Sequence, residues 1–251
     1  MILSFDMSRI RNWGLRLGAR YTLAFNRDNL STTFSEDQNG NFNLGYLDPF
    51  NPDLDYGYSN NDVRHRFVSN FTWDIPSGGA EGWLKQLVGG WEVNGIVTLR
   101  SGAPFSVFDC TFAFGVCSRA ILSSPVSTTG DVSRNEGVSD TPNRYKFIDL
   151  SNLVPGEFRD SNGMAEFPTF PSNMSERNAF RGPGFWNIDV ALFKSFYIKE
   201  GQRIQFRFET YNTLNHANLF IQGGEAEVNT GYVPAFYDGR RNVQMAIKYI
   251  F

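Results

Sequence analysis

The chain has no run of about 18 apolar residues, so it carries no transmembrane helix. Histidine is almost missing: only His65 and His216 occur. No Ser/His/Asp or Cys/His set is suggested by spacing, and an enzyme is not expected. Basic residues are not in excess, with 23 Lys and Arg against 26 Asp and Glu. That balance gives no electrostatic footprint for nucleic acid. The N-terminal stretch MILSFDMSRI has neither a basic segment nor a long apolar core, so it is not read as a signal peptide. Glycines do occur together in RGPGFW (181–186), but this stretch follows a loop and opens a strand. A phosphate cradle needs a helix N-terminus, so the motif is read as a turn and no cofactor is expected.

Cysteine is scarce too. Cys110 and Cys117 stand close together in a loop-like stretch. They are read as a local disulfide formed in an oxidising compartment, with free thiols the alternative. No histidine is near enough in sequence to suggest a metal site with them.

Aromatic residues are abundant instead: 24 Phe, 10 Tyr and 5 Trp make up 16% of the chain. Amphipathic rings at this density suit a membrane interface. They fall in segments that alternate with period two. In WGLRLGARYTLAFN (13–26), Trp13, Leu15, Leu17, Ala19, Tyr21, Leu23 and Phe25 share one face. Similar alternation marks 63–75, 91–100, 186–193, 203–210 and the terminal 243–251, with a weaker strand over about 1–8. Side chains alternate across a strand, so each segment has an apolar face and a polar or small one. About seven strands and no long helix are expected.

The connections are unequal. Tight turns are expected near 9–12 and 198–201, and a moderate connection over 77–88. Long stretches rich in Asn, Ser, Gly, Pro and Asp cover 28–60, 103–183 and 214–239. A soluble antiparallel sheet with one wet face also alternates. However, strands of roughly 10–14 residues exceed the usual mode. Aromatics also gather at the strand ends, with Trp13, Trp73 and Trp91 near the short turns and Trp186 near the long loops. The expectation is therefore an all-β protein: an antiparallel transmembrane β-barrel segment with short periplasmic turns and long extracellular loops. A watery lumen would be lined by Arg16, Arg20, Arg64, Arg66, Asp74, Glu92, Arg100, Asp189, Arg203, Arg207 and Glu209.

Several stretches resemble one family, the C-terminal barrel of TonB-dependent outer-membrane receptors, in particular its Oar-like branch. They are DVRHRFVSNFTWDIP (62–76), GGWEVNGIVTLRSGAPFSV (89–107), RNAFRGPGFWNIDVALFKSF (177–196), RIQFRFETYNTLNHANLF (203–220) and the terminal QMAIKYIF. The resemblance implies a 22-stranded barrel, of which about seven strands would be the last third. It implies a plug and a TonB-contacting segment that are not visible in this sequence. It implies TonB-driven uptake, with outer-membrane lipid, the barrel assembly machinery and a small-molecule, glycan or peptide ligand as partners. Tyr249 and Phe251 resemble the terminal signal read by that machinery. The mixed charges of the lumen face would meet the plug.

Three further readings complete the expectations. His65 is read as part of a barrel motif pointing outward near the long-loop end, and His216 as a loop residue. DPFNPDLD (48–55) offers Asp48, Asn51, Asp53 and Asp55 as oxygen ligands for calcium, but it lacks the EF-hand glycine and is read as a solvated loop. Tyr46, Phe50, Tyr56 and Tyr58 are aromatics able to stack on a ligand. A small closed barrel, needing an eighth strand from 103–120, and a secreted β-sandwich are the alternatives.

Overall fold

A computed structural model describes residues 1–7, 13–31, 46–48, 50–109, 118–122, 144–149, 153–154, 174–221 and 232–251. Its main element is one antiparallel sheet of seven strands. These are β1 (Ile2–Met7), β2 (Leu15–Leu23), β3 (His65–Asp74), β4 (Trp91–Arg100), β5 (Phe185–Lys199), β6 (Gln202–Tyr211) and β7 (Asn242–Ile250). Each strand pairs with the next in chain order, so the sheet is a simple meander. It is not closed, and β1 and β7 are its two edges.

The pairing registers the alternation of every strand. One row across the sheet runs Phe67↔Leu99↔Trp186 and another runs Ser69↔Val97↔Ile188. The apolar face continues through Leu192↔Phe208↔Met245 to the last strand. A one-residue slip would invert a whole strand, so this agreement over six pairings fixes the two faces. Gly95 shows how closely the apolar face packs. It lies opposite Phe71, whose ring lies across it: a Cβ on Gly95 would come within 2.3 Å of that ring.

No second sheet among the described residues lies on this apolar face. Phe5 is 56% exposed on one edge strand and Met245 is 74% exposed on the other. A β-sandwich would lay a second sheet there, so that alternative does not describe the fold. The described parts of 103–120, the stretch from which the alternative small barrel would need an eighth strand, do not join the sheet either. Pro104–Phe105 pairs with Phe180–Arg181, and Phe108–Asp109 pairs with Ser118–Arg119.

The turns and loops fall on opposite ends. At one end, β5 and β6 are joined through Glu200 and Gly201, and Gly201 takes φ +77°, a conformation that favours glycine. The expected turn near 9–12 lies outside the described residues apart from its exit at Trp13 and Gly14. The 77–88 connection at this end contains a helix, α1 (Gly82–Val88), which alternation did not suggest. At the other end, short strands in the long loops build small sheets of their own. One joins 144–149, 232–238 and 218–220. Strand β5 is longer than its sequence segment 186–193, continuing through Lys194, Phe196 and Ile198 to Lys199. The described hydrophobic core lies among the long loops, not in the sheet: Phe105, Val107, Ala120, Ile121 and Phe180 are all buried.

Candidate functional site

The long-loop end is a built structure. Arginines hold its segments together, each pinned by several oxygens. The Arg177 guanidinium is 2.6 Å from Asp28 Oδ1 and also donates to the Asp28 carbonyl and to Ser31 Oγ. Arg119 donates to Asp55 Oδ1 at 2.5 Å, to the Leu54 carbonyl at 2.6 Å and to the Ser175 carbonyl at 2.9 Å. Arg181 donates to both the carboxylate and the carbonyl of Asp62, which is completely buried. Asn178 donates to the Tyr58 carbonyl and to Asn60, and its backbone N–H reaches Ser106 Oγ at 2.9 Å. Beneath these bonds the rings of Phe105 and Phe180 meet with centroids 5.7 Å apart. Charge-assisted bonds of this kind suit a buried site only where every lone pair is used. Here the carbonyls as well as the carboxylates accept.

In the loop stretch 48–55, read as solvated, residues 50–53 are exposed, but Asp55 is buried. Asp55 is buried against Arg119, Asp48 accepts from the Phe50 N–H, and Asp53 faces Asn29. No cluster able to hold a metal occurs among the described residues. Tyr58 is also engaged internally. The guanidiniums of Arg27, Arg64 and Arg181 stand 4.5, 5.1 and 4.8 Å from its ring centre. Hydrogen bonding by Arg64, then by Arg27, holds its phenol below the ordinary tyrosine value against a smaller upward push from burial. For Asp28, burial pushes the carboxyl upward. The hydrogen bonds from Arg177, Ser59 and Ser31 and the Arg177 charge together outweigh it, and the net shift is downward. Of the aromatics considered for ligand stacking, Phe50 is the one left wholly open, at 97% exposed. Cys110 and Cys117 lie outside the described residues.

The polar face of the sheet carries most of the charged residues in two bands. Near the short turns, Arg16 bonds Asp74 at 3.3 Å, and Asp74 stands directly opposite Glu92. Glu92 accepts from Asn94, which in turn accepts from Thr72. In the same region Arg207 lies over the Phe193 ring and approaches Glu209 at 4.0 Å, and Arg203 Nε is buried without a hydrogen-bond partner. Nearer the loops, Arg66 stands directly opposite Arg100, whose guanidinium lies over the Phe185 ring. Arg20 and Arg66 line one hollow of this face together with Asp6 and Asn70. Neither arginine makes an ion pair among the described residues. Arg64 and Asp189 sit differently from the rest. Arg64 leaves the sheet to lie over Phe25 and 3.9 Å from Asp62 in the rim. Asp189 accepts from Asn187 and from the Asn212 backbone N–H, so it locks the turn after β6.

The tryptophans fall at the two ends. Trp73 donates to the Trp13 carbonyl at 2.8 Å, and Trp91 donates to the Leu87 carbonyl at 2.9 Å, both at the short-turn end. Trp186 is at the loop end and stacks on His216 at 3.9 Å. His65 lies on the apolar face at the loop end, with the Tyr21 hydroxyl 2.7 Å from its Nδ1. Tyr249 pairs with Ile204, and its ring stacks with Phe251 at 5.8 Å.

Besides α1, two features were not read from the sequence. One is the arginine-held rim, whose partners are up to 149 residues apart. The other is Lys194 on the apolar face, where its place in the alternation could have flagged it. No helix of the described residues is long and apolar enough to cross a membrane. No curated protein and no solved structure matches the chain. A family model does match: the outer membrane beta barrel domain, over residues 3–244. An antiparallel meander with a largely exposed apolar face and a charged opposite face agrees with that match, and the chain belongs to this family as an outer-membrane β-barrel protein.

Proposed function

We propose that this chain forms wall and extracellular rim of a TonB-dependent receptor that takes up a ligand across the outer membrane. The polar wall carries the reading. Arg20, Arg66 and Arg100 make a zone near the rim in which positive charge is in excess: none of the three forms an ion pair among the described residues, and Asp6 is the one acidic residue that shares the hollow of Arg20 and Arg66. Like charges directly opposite each other are unfavourable in a sheet, as Arg66 and Arg100 are. Such a zone suits an acidic surface held inside the barrel, and a plug domain is that surface in the family the sequence resembles. The open edges β1 and β7 support the same reading. In lipid every backbone group must be paired, so further strands continue the sheet from each edge. The wall acts as a scaffold and not as a catalyst. Ligand binds at the rim, and TonB pulls on the plug to open the path.

Fractionation of source cells tests this. An antibody to the last strand should detect an outer-membrane band on the order of 100 kDa, the size of a 22-stranded barrel with a plug. A photoreactive residue at Asn70, in the polar hollow, should cross-link within that same band to an acidic segment of the plug. A band at 28.4 kDa would overturn the receptor reading.

A further inference from the structure

Lys194 is a charged residue on the apolar face. Its backbone neighbours across the sheet are Trp91 and Phe206, both on that face. The side chain is nonetheless buried, because it ends on the last turn of α1. Its Nζ donates to the Gln86 carbonyl at 2.7 Å, to the Leu87 carbonyl at 2.8 Å and to the Gly89 carbonyl. These are carbonyls that a helix C-terminus leaves without intrahelical partners, where a cation is favoured. Two further bonds fix the helix. Gln86 donates to the Tyr197 carbonyl at 3.1 Å, and the Trp91 indole donates to Leu87. So α1 is tied to the lipid-facing side of the sheet, at its periplasmic end.

The helix has an apolar stripe. Trp83, Leu84, Leu87 and Val88 occupy about 140° of its circumference at about 100° per residue. All four are exposed, and Trp83 is 70% so. Lys85 and Gln86 take the rest of the surface, with Gln86 turned to the sheet. A polar periplasmic turn has no reason to carry four uncovered apolar residues in seven. A short helix continuing the lipid-facing band does, because its stripe then lies at the boundary of headgroup and acyl chain.

We infer that α1 is an interfacial anchor, seated in the inner-leaflet phospholipid of the outer membrane and clamped to the barrel wall by Lys194. The lysine reaches from the apolar band to the helix end and brings its charge to fixed carbonyls instead of burying it in lipid. The occupant follows from continuity: Trp91, Lys194 and Phe206 belong to the face that the family's barrels turn to lipid, and the helix stripe extends that face downward. This inference rests on the barrel family and is independent of the uptake reading.

The test is photo-cross-linking in cells producing the full-length protein, with a photoreactive residue at Leu87 and, separately, at Leu84. Phe206 serves as the lipid-facing control and Thr98 as the polar-face control. Mass spectrometry of the adducts should find phospholipid at Leu87 and Leu84 with a yield matching Phe206, and none at Thr98. A protein adduct at Leu87, or no adduct while Phe206 labels, overturns the anchor. Failure at Phe206 would instead count against the face assignment. In Lys194→Gln the lipid adduct at Leu87 should be lost while that at Phe206 persists. Persistence at both would overturn the clamp.

Discussion

Arg119 and Asp55 form a buried ion pair, 2.5 Å apart, between loops separated by 64 residues in sequence. The same guanidinium also holds the Leu54 and Ser175 carbonyls, so three segments of the rim meet on one side chain. The described part of the rim is thereby one linked surface rather than a set of independent loops. On the proposed uptake reading, binding residues carried on it would need little ordering.

Removing one partner of that pair leaves the other charge buried and alone, at a cost of about 3–5 kcal/mol. Arg119→Ala and Asp55→Asn should each open the rim to added protease on intact cells, with the barrel still in the membrane. Arg119→Met with Asp55→Leu should be less sensitive than either single variant. Equal sensitivity of the double variant would show that the carbonyl bonds, and not the ion pair, hold the lobe.

Asp28 gives the rim a pH dependence of known sign. Its carboxyl titrates below the ordinary value, so its contribution is complete above about pH 3.9 and is lost as pH falls through the folded value. Protection factors of peptides covering 26–31 and 174–182, taken against the intrinsic exchange rate at each pH, should fall together on acidification through that range. In Asp28→Asn the exchange should already be faster at pH 7, and the acid step from this group should disappear.

The sheet was legible because alternation is local. The segment 91–100 is the observed β4 residue for residue, and 13–26 and 63–75 contain β2 and β3 with frayed margins. The extent of β5 was not legible, because Lys194 breaks the apolar face and only α1 explains it. Helix α1 was hidden by its length: seven residues hold too few turns for a period to stand out. The rim was hidden for another reason. Arg177 and Asp28 look like ordinary loop polar residues, and only the fold brings them to 2.6 Å. Of the charged residues read as lumen lining, Arg20 and Arg66 do lie on the polar wall, whereas Arg64 belongs to the rim. Position 64 precedes the first paired residue of β3, so strand phase no longer governs it.

The two faces of β4 should respond oppositely to one substitution. Val97 pairs with Ser69 and Ile188 on the lipid side, and the next residue, Thr98, pairs with Val68 and Asn187 on the polar side. Lysine near the bilayer midplane on the lipid face costs about 2–4 kcal/mol. Val97→Lys should therefore lower the folded, heat-modifiable fraction in outer membranes, while Thr98→Lys should leave it near wild type. The reverse result would exchange the faces.

Phe251 separates packing from assembly. It is 90% exposed and touches Tyr249 by stacking alone, so its loss removes little buried area and should hardly change the stability of the finished barrel. Recognition of the terminal strand by the assembly machinery is a different demand, because an unpaired edge must first be captured by another chain. If Tyr249 and Phe251 are that signal, Phe251→Ala should slow the appearance of folded protein in pulse-chase fractionation and leave the denaturation midpoint of the assembled protein unchanged. Phe251→Tyr should restore the rate. A lowered midpoint with a normal assembly rate would assign the ring to packing at the membrane interface instead.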